Sequence, residues 1–254
     1  MQSSASSSGT AAEAGGPRFS IVVAVFNEAD NVAPVTAEIM QAAFPLGPFE
    51  LIYVDDGSND KTPERLRVLR ARHGAIRVLR HDRRCGKSAA LVTGIGAARA
   101  PWIVTMDGDG QDDAAEIPRL LEAVWAAGEP SPLVAGIRTA RRDRRSRRLA
   151  TKLANGLRQR LLRDNCPDTA CGFKAFRRDV FLRLPSFEGM HRFLPALFQT
   201  LGHPLVCVPV NHRPRLAGQS KYTNLGRAVV GVADMLGVIW LRRRTRLPGR
   251  IVEE

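Results

Sequence analysis

Two tyrosines, three tryptophans and four cysteines are few for a chain of 254 residues, and each shortage excludes something. Cys85, Cys166, Cys171 and Cys207 show no zinc-ligand spacing, and nothing in the chain points to secretion. Reduced thiols in the cytosol are therefore expected. Lys and Arg outnumber Asp and Glu by 38 to 25, a formal charge of +13 that by itself would suit nucleic acid. With aromatics at 6% and none interleaved among the basic residues, no nucleic-acid partner is expected. Residues 1–17 are rich in Ser, Ala and Gly and lack both the basic start and the apolar stretch of a signal peptide, which predicts a disordered tail. Long apolar runs are also missing. Leu225 to Leu241 alone comes near the spanning length, and it carries Arg227 and Asp234, which argue against a membrane span. Internal repeats are absent.

What the chain does have is alternation. Phe19 to Phe26 is almost unbroken apolar sequence, as in a strand buried on both faces of a parallel sheet. A helix is expected around Val32 to Ala43, then a strand at 51–54. Thr62-Pro63-Glu64 reads as a helix start with Thr as the cap. Ile76 to Leu79 is a short strand, Gly86-Lys87-Ser88 opens a helix running to Ala98, and Trp102 to Met106 is a further strand. The order β-α-β-α-β-α-β predicts an α/β fold with a mostly parallel sheet flanked by helices. Ligands on such sheets bind at the carboxyl ends of strands.

Two of those ends are acidic. Val54 leads into Asp55-Asp56-Gly57-Ser58, and Met106 leads into Asp107-Gly108-Asp109-Gly110-Gln111. Carboxylates on alternate residues present oxygens to one point, while Gly108 and Gly110 allow close approach. That suits a hard divalent cation with positions left for phosphate oxygens, Mg²⁺ or Mn²⁺. An EF-hand is excluded because Asp112 and Pro118 stand where Gly and Glu would be required. In the alternative, Asp107 only caps a helix beginning near Ala114; the second acidic strand end weighs toward the metal. A Walker A loop around Gly86-Lys87-Ser88 is excluded by His81 at the position of its first glycine. A helix amino terminus with Lys87 still suits a diphosphate, against the alternative of an exposed lysine.

Positive charge is concentrated downstream. From Arg138 to Arg163 there are ten Arg and one Lys against a single Asp, and Arg242-Arg243-Arg244 with Arg246 forms a second cluster. Such patches suit phosphates of lipid headgroups, of nucleic acid or of a phosphorylated acceptor. The alternative is a solvated, Arg-biased surface.

Taken in order, Val25-Phe26-Asn27-Glu28, Val54-Asp55-Asp56-Gly57-Ser58, Gly86-Lys87, Met106 to Gln111, His212-Arg213-Pro214-Arg215 and Gly218-Gln219-Ser220-Lys221-Tyr222 resemble the family 2 inverting glycosyltransferases of the GT-A fold. Within them the chain looks most like the dolichol-phosphate mannose synthase group, the polyprenyl-phosphate glycosyltransferases, over about residues 18–224. The resemblance implies that Asn27, Glu28, Asp55, Asp56, Lys87, Asp107, Gly108, Arg215 and Ser220 bind a nucleotide sugar. Within that set Glu28 and Asp56 would hold the base and ribose, and Lys87 would lie near the diphosphate. Asp107, Asp109 and Gln111 would surround the metal. Arg138, Arg147, Arg148 and Arg213 would hold the acceptor phosphate, with Asp109, Arg138 and Lys221 carrying catalysis and Asp168 flanking the sugar. Two departures touch the nucleotide pocket: Ala24 and Phe26 in the usual P-x-Y-N-E, and Cys85 where Asn often precedes Gly-Lys.

A metal would stabilise charge building on the leaving diphosphate as a Lewis acid. A sugar-hydroxyl acceptor would also need a general base. A polyprenyl phosphate would not, because its oxygen is already anionic. The family often supplies that base as an E-D or D-D pair, and none occurs between 165 and 195, where Glu188 near His191 is the weak substitute. The expectation is therefore metal-dependent, inverting transfer from a nucleotide sugar to a polyprenyl phosphate; transfer to a glycan or glycolipid hydroxyl is the first alternative. A nucleotidyltransferase would need a Gly-rich loop that residues 24–30 do not provide. Residues 225–254 are expected to form an interfacial amphipathic helix and basic tail on an anionic membrane surface, with packing on the domain as the alternative. The enzyme would then sit peripherally on the cytoplasmic face, alone, as a homo-oligomer or beside a membrane-protein partner that exports the product.

Overall fold

Seven strands form one sheet in the order β3-β2-β1-β4-β6-β5-β7. The computed structural model describes residues 15–139, 156, 158–214 and 224–247. The first four strands are β1 (Phe19–Val25), β2 (Phe49–Asp55), β3 (Ile76–Arg80) and β4 (Trp102–Asp107). They pair in parallel, β1 lying between β2 and β4. Their helices are α1 (Val32–Ala43), α2 (Thr62–Arg72) and α3 (Lys87–Ala97), so the expected alternation holds. Beyond β4 come α4 (Ile117–Trp125), β5 (Leu133–Arg138), β6 (Lys174–Arg177), α5 (Arg178–Leu182), α6 (Leu194–Thr200), β7 (Leu205–Val210) and α7 (Asn224–Arg244). β6 runs antiparallel to both β4 and β5, while β7 is parallel to β5.

Alternation along each strand divides the core into two layers. Phe19, Ile21, Val23 and Val25 of β1 join Leu51, Tyr53, Val104 and Met106 in a layer covered by Val32, Val35 and Ile39 of α1 and Ile117, Leu120, Leu121 and Val124 of α4. Val22, Ile52, Val54, Ile103 and Phe176 face the other way, onto Leu91 and Ile95 of α3, Phe181 of α5 and Phe198 of α6. A sheet buried on both faces explains why the strands read as apolar runs.

The register also sets the working edge. Val25 pairs with Asp55 and Ala24 with Asp107, so the carboxyl ends of β1, β2 and β4 are level. Because β6 is antiparallel, its first residue, Lys174, lies opposite Thr105 and returns the chain to that edge. One local expectation fails: Thr62 is inside α2 rather than its cap, and its hydroxyl accepts the Glu28 backbone N–H at 2.9 Å. The side chain is drawn into joining two loops because it is fully buried between them.

Candidate active site at the strand ends

The loop after β1 and the loop after β2 are bonded to each other residue by residue. Asn27 takes the left-handed conformation, φ 54°, which Asn tolerates better than most residues. Its backbone N–H donates to Ser58 Oγ (2.9 Å), its Nδ2 donates to Asn59 Oδ1 (2.6 Å), and its Oδ1 accepts the Asn59 N–H (2.9 Å). Asp55, fully buried, accepts the Ser58 N–H at 2.9 Å. Asp56 accepts the backbone N–H groups of Cys85 and Gly86, each at 2.8 Å, and meets His81 Nδ1 at 2.8 Å. Gly57 makes that seam geometrically feasible: with φ +73° it lies against the backbone of Arg83 and Arg84, where a Cβ would come within 2.6 Å. The Arg84 guanidinium stacks over Phe26, 4.5 Å from the ring centre. Glu28 accepts from Asn31 Nδ2. Asn27, Glu28, Asp55 and Asp56 are thus brought to one wall.

The second acidic end is organised by charge. Lys87, first residue of α3, donates its ammonium to Asp107 Oδ1. Gly172 abuts the same carboxylate, and a Cβ there would fall 2.4 Å from Oδ1, so only glycine fits. Gly108 lies flat on Val25 in the same way. Asp109 accepts the Gln111 N–H at 3.1 Å, and the Gln111 backbone carbonyl accepts from Arg213 N at 2.9 Å. The alternative of Asp107 as a helix cap is settled locally: Asp113 caps the turn at Ala114, accepting from Ala115 N.

Three residues not expected complete this centre. Asp112 accepts the Asp107 N–H at 2.9 Å; burial and the negative charges of Asp107 and Asp109 push its carboxyl up to about 7. Burial also opposes the charge on Asp107, but the Lys87 ammonium outweighs it and holds that carboxyl below its ordinary value. Lys174 is buried, and that burial lowers its pKa while its ammonium donates to the Cys171 carbonyl. His191 meets Ser88 Oγ through Nδ1 at 2.8 Å. Burial, with Lys87 and Lys174 nearby, drives it down to about 3. Asp112 sits within the acidic motif and could have been read from it. His191 lies far along the chain, and only its proximity in sequence to Glu188 drew notice.

Asp107, Asp109 and Gln111 offer hard oxygen donors on one loop, and the neighbouring Asp112 carboxyl is raised first by burial and then by the charges of Asp107 and Asp109. The donor types suit a divalent metal, and the Lys87 ammonium supplies the neutralising charge at Asp107 in the present arrangement. The arginines expected at an acceptor phosphate engage different partners. Arg138, at the end of β5, clamps Asp168 through two bonds of 2.6 and 2.8 Å. Arg213 pairs with Glu38 of α1 and donates to the Asp112 carbonyl at 3.3 Å. Arg147, Arg148, Arg215, Ser220 and Lys221 lie outside the described residues.

The α7 helix packs Val238 into the core, with Met235 and Ile239 against the same layer, and ties Asp234 to Arg192 at 2.7 Å. Its other face leaves Val232, Leu236 and Trp240 exposed, with Leu247 beyond. No helix among the described residues is long and apolar enough to cross a membrane.

With this geometry in hand, the comparisons agree with one another. The family model described as "Glycosyl transferase family 2" matches residues 20–184. The undecaprenyl-phosphate 4-deoxy-4-formamido-L-arabinose transferase of Edwardsiella ictaluri is 32% identical over 205 residues, 80% of this chain and 62% of that protein. This chain thus spans about three fifths of that relative's length. The dodecaprenyl-phosphate galacturonate synthase of Rhizobium johnstonii is 32% identical over 237 residues, 91% of this chain and 69% of that one. Among solved structures, glucosyl-3-phosphoglycerate synthase from Mycobacterium tuberculosis, in complex with Mn²⁺, UDP and glucosyl-3-phosphoglycerate, superposes with a TM-score of 0.64 at 20% identity, covering 92% of this chain and 82% of that one. A mannosyltransferase from Pyrobaculum calidifontis with GDP-mannose and Mn²⁺ gives 0.65 at 21%, covering 92% and 67%. At such identities the structures establish the shared GT-A fold.

Proposed function

The chain belongs to glycosyl transferase family 2, and from that premise we propose that it transfers a sugar, with inversion, from a nucleoside-diphosphate donor to a polyprenyl phosphate. The carrying observation is the carboxylate group Asp107, Asp109 and Asp112 set beside Lys87 at the edge where the Asn27–Asp56 wall also ends. Asp107, Asp109 and Gln111 would hold Mg²⁺ or Mn²⁺, which would supply Lewis-acid stabilisation of the departing diphosphate. Lys87 adds positive charge where that leaving group would lie.

The acceptor reading is supported by what the site offers as a base and by the names of the relatives. A hydroxyl acceptor needs a group titrating near the working pH. His191 is driven to about 3 by burial and its cationic neighbours, so it is a poor proton acceptor, and Asp112, pushed up to about 7, is turned to the Asp107 N–H within the loop proposed to hold the metal. A phosphate monoester needs none, and both relatives are named for polyprenyl-phosphate substrates. The exposed apolar stripe of α7 with Arg243, Arg244 and Arg246 supports docking on an anionic bilayer, where that acceptor resides; the cytoplasmic face is part of this proposal.

The test is a donor screen against a short polyprenyl phosphate with Mg²⁺ or Mn²⁺, read by mass spectrometry. One nucleotide sugar yielding a sugar-phosphate-lipid is the expected result. Metal-dependent donor binding without lipid product would remove the acceptor, and a product on a glycan hydroxyl would replace it.

A further inference from the structure

One cluster of ligating side chains stands apart from the Asp107–Gln111 loop. Among the described residues, Asp56, His81 and Cys85 are the group of three whose ligand atoms all lie within 4.8 Å of one another. We propose that these three residues form a second cation site, selective for a thiophilic divalent ion such as Zn²⁺, in the wall assigned to the nucleotide donor.

The chemistry differs from that of the carboxylate centre in kind. A carboxylate, an imidazole and a thiolate make a borderline-soft donor set, which suits zinc, whereas all-oxygen sets suit Mg²⁺. Zinc takes these ligands at about 2.0–2.3 Å, which spaces neighbouring donors by roughly 3–4 Å in a tetrahedron. His81 Nδ1 already stands 2.8 Å from Asp56 Oδ1, so the exposed Cys85 side chain supplies the remaining adjustment by rotation. Its sulfur now donates to the Arg83 carbonyl at 3.4 Å.

The ring is also held from behind. His81 Nε2 meets Thr93 Oγ1 on α3 at 2.9 Å, the kind of outer contact that fixes the tautomer of a ligating histidine. On binding, the Nδ1 proton gives way to the metal, Nε2 carries the neutral ring's proton toward Thr93, and the Cys85 thiol proton leaves to solvent. One proton is released overall, so binding strengthens as pH rises. The fourth position stays open to water. The thiol belongs to this chain's own departure, Cys85 in place of the Asn often found before Gly-Lys. Occupation would tie the segment leading into Lys87 to the end of β2. Its importance for donor binding rests on the reading above, but the cation site itself does not.

The full chain carries a built-in control, because Cys207 is also exposed. Alkylation by iodoacetamide, followed residue by residue by mass spectrometry in saturating Mg²⁺, should slow at least tenfold at Cys85 when Zn²⁺ is added and should not change at Cys207. Co²⁺ should give a thiolate charge-transfer band that Cys85→Ser and His81→Gln abolish and Cys207→Ser keeps. Equal protection of both cysteines, or a band that survives Cys85→Ser, overturns the proposal. Neither readout requires transfer, so the cation site and the polyprenyl-phosphate reading fail separately.

Discussion

Asp55-Asp56 and Asp107–Asp109 occupy equivalent places, at the ends of the two strands flanking β1, yet the fold uses them differently. The first pair is held mainly by backbone N–H groups, with Arg80 on Asp55 and His81 on Asp56 as side-chain partners. Asp55 and Asp56 together accept the N–H groups of Ser58, Cys85 and Gly86, and Asp56 also meets His81. The second pair faces Lys87, with Asp112 beside it, where burial together with the charges of Asp107 and Asp109 pushes the Asp112 carboxyl up to about 7. One acidic end builds the pocket wall and the other loads it with charge. Sequence spacing alone does not separate these roles; the partners do.

The sharpest way to break this contrast is Asp109→Ala. Loss of a group that acts on the leaving diphosphate should lower transfer about 1,000-fold or more, while the thermal midpoint stays within a few degrees. Unchanged activity in saturating Mg²⁺ or Mn²⁺ would remove the metal assignment. Asp56→Ala should do the reverse in the folding balance. Two part-buried N–H groups lose their acceptor, at a cost of about 1–2 kcal/mol, read as a lower denaturant midpoint with unchanged slope. If both variants cost equal stability, the two ends are not specialised.

The Arg138–Asp168 clamp tests whether a residue expected at the acceptor is instead architecture. Arg138→Ala strands a carboxylate that is only 8% exposed. The penalty should be roughly 2–3 kcal/mol, below the range for fully buried pairs because the arginine retains some contact with solvent. In the double variant with Asp168→Ala most of it should return. A higher KM for lipid phosphate than for donor in Arg138→Lys would place the guanidinium at the acceptor as well; equal effects on both would leave it structural.

His191 sharpens the comparison through pH. Its folded pKa of about 3 lies below the ordinary 6.5, so the unfolded chain takes up the proton first as pH falls. Stability present above pH 6.5 is therefore lost progressively toward pH 3. Between pH 6.5 and 5 the loss should be on the order of 1–2 kcal/mol, and His191→Asn should flatten that limb in acid denaturation. Asp112 has the opposite sign: raised above 3.8, it favours folding at low pH and loses that contribution as pH rises through about 7. Its window, about pH 3.8 to 7, overlaps that of His191, so Asp112→Asn removes an offsetting contribution and should steepen the acid loss of stability in metal-free protein.

Much of the first half was readable because strands buried on both faces are written as apolar runs, and their polar ends follow directly. β1 to β4 and α1 to α3 emerge at nearly their observed bounds, and the Asp107 and Asp55 motifs with them. The second half resisted. β6 joins antiparallel, between β4 and β5, an insertion with no local pattern, and that reversal is what delivers Lys174 to the working edge. His191 arrives through a turn after α5 that only tertiary packing defines. Arg138 was expected at the acceptor phosphate through the resemblance, but its partner Asp168 lies 30 residues on and was read as flanking the sugar.

The smallest expected effect concerns α7, where the same comparison applies to two faces of one helix. The inner face packs Val238, and Arg242 is partly shielded, its pKa lowered by that burial. The outer face aligns Val232, Leu236 and Trp240, with Arg243, Arg244 and Arg246 exposed beyond them. An anionic bilayer should therefore be felt by Arg243 and not by Arg242. A cation near such a surface contributes about 1 kcal/mol, so Arg243→Gln should weaken binding to phosphatidylglycerol vesicles roughly fivefold. The loss should shrink as salt rises. Trp240→Ser should weaken binding in neutral and anionic vesicles alike, because it removes apolar contact rather than charge. If both substitutions leave co-sedimentation unchanged, the exposed face has another occupant and the lipid acceptor must reach the strand ends without help from α7.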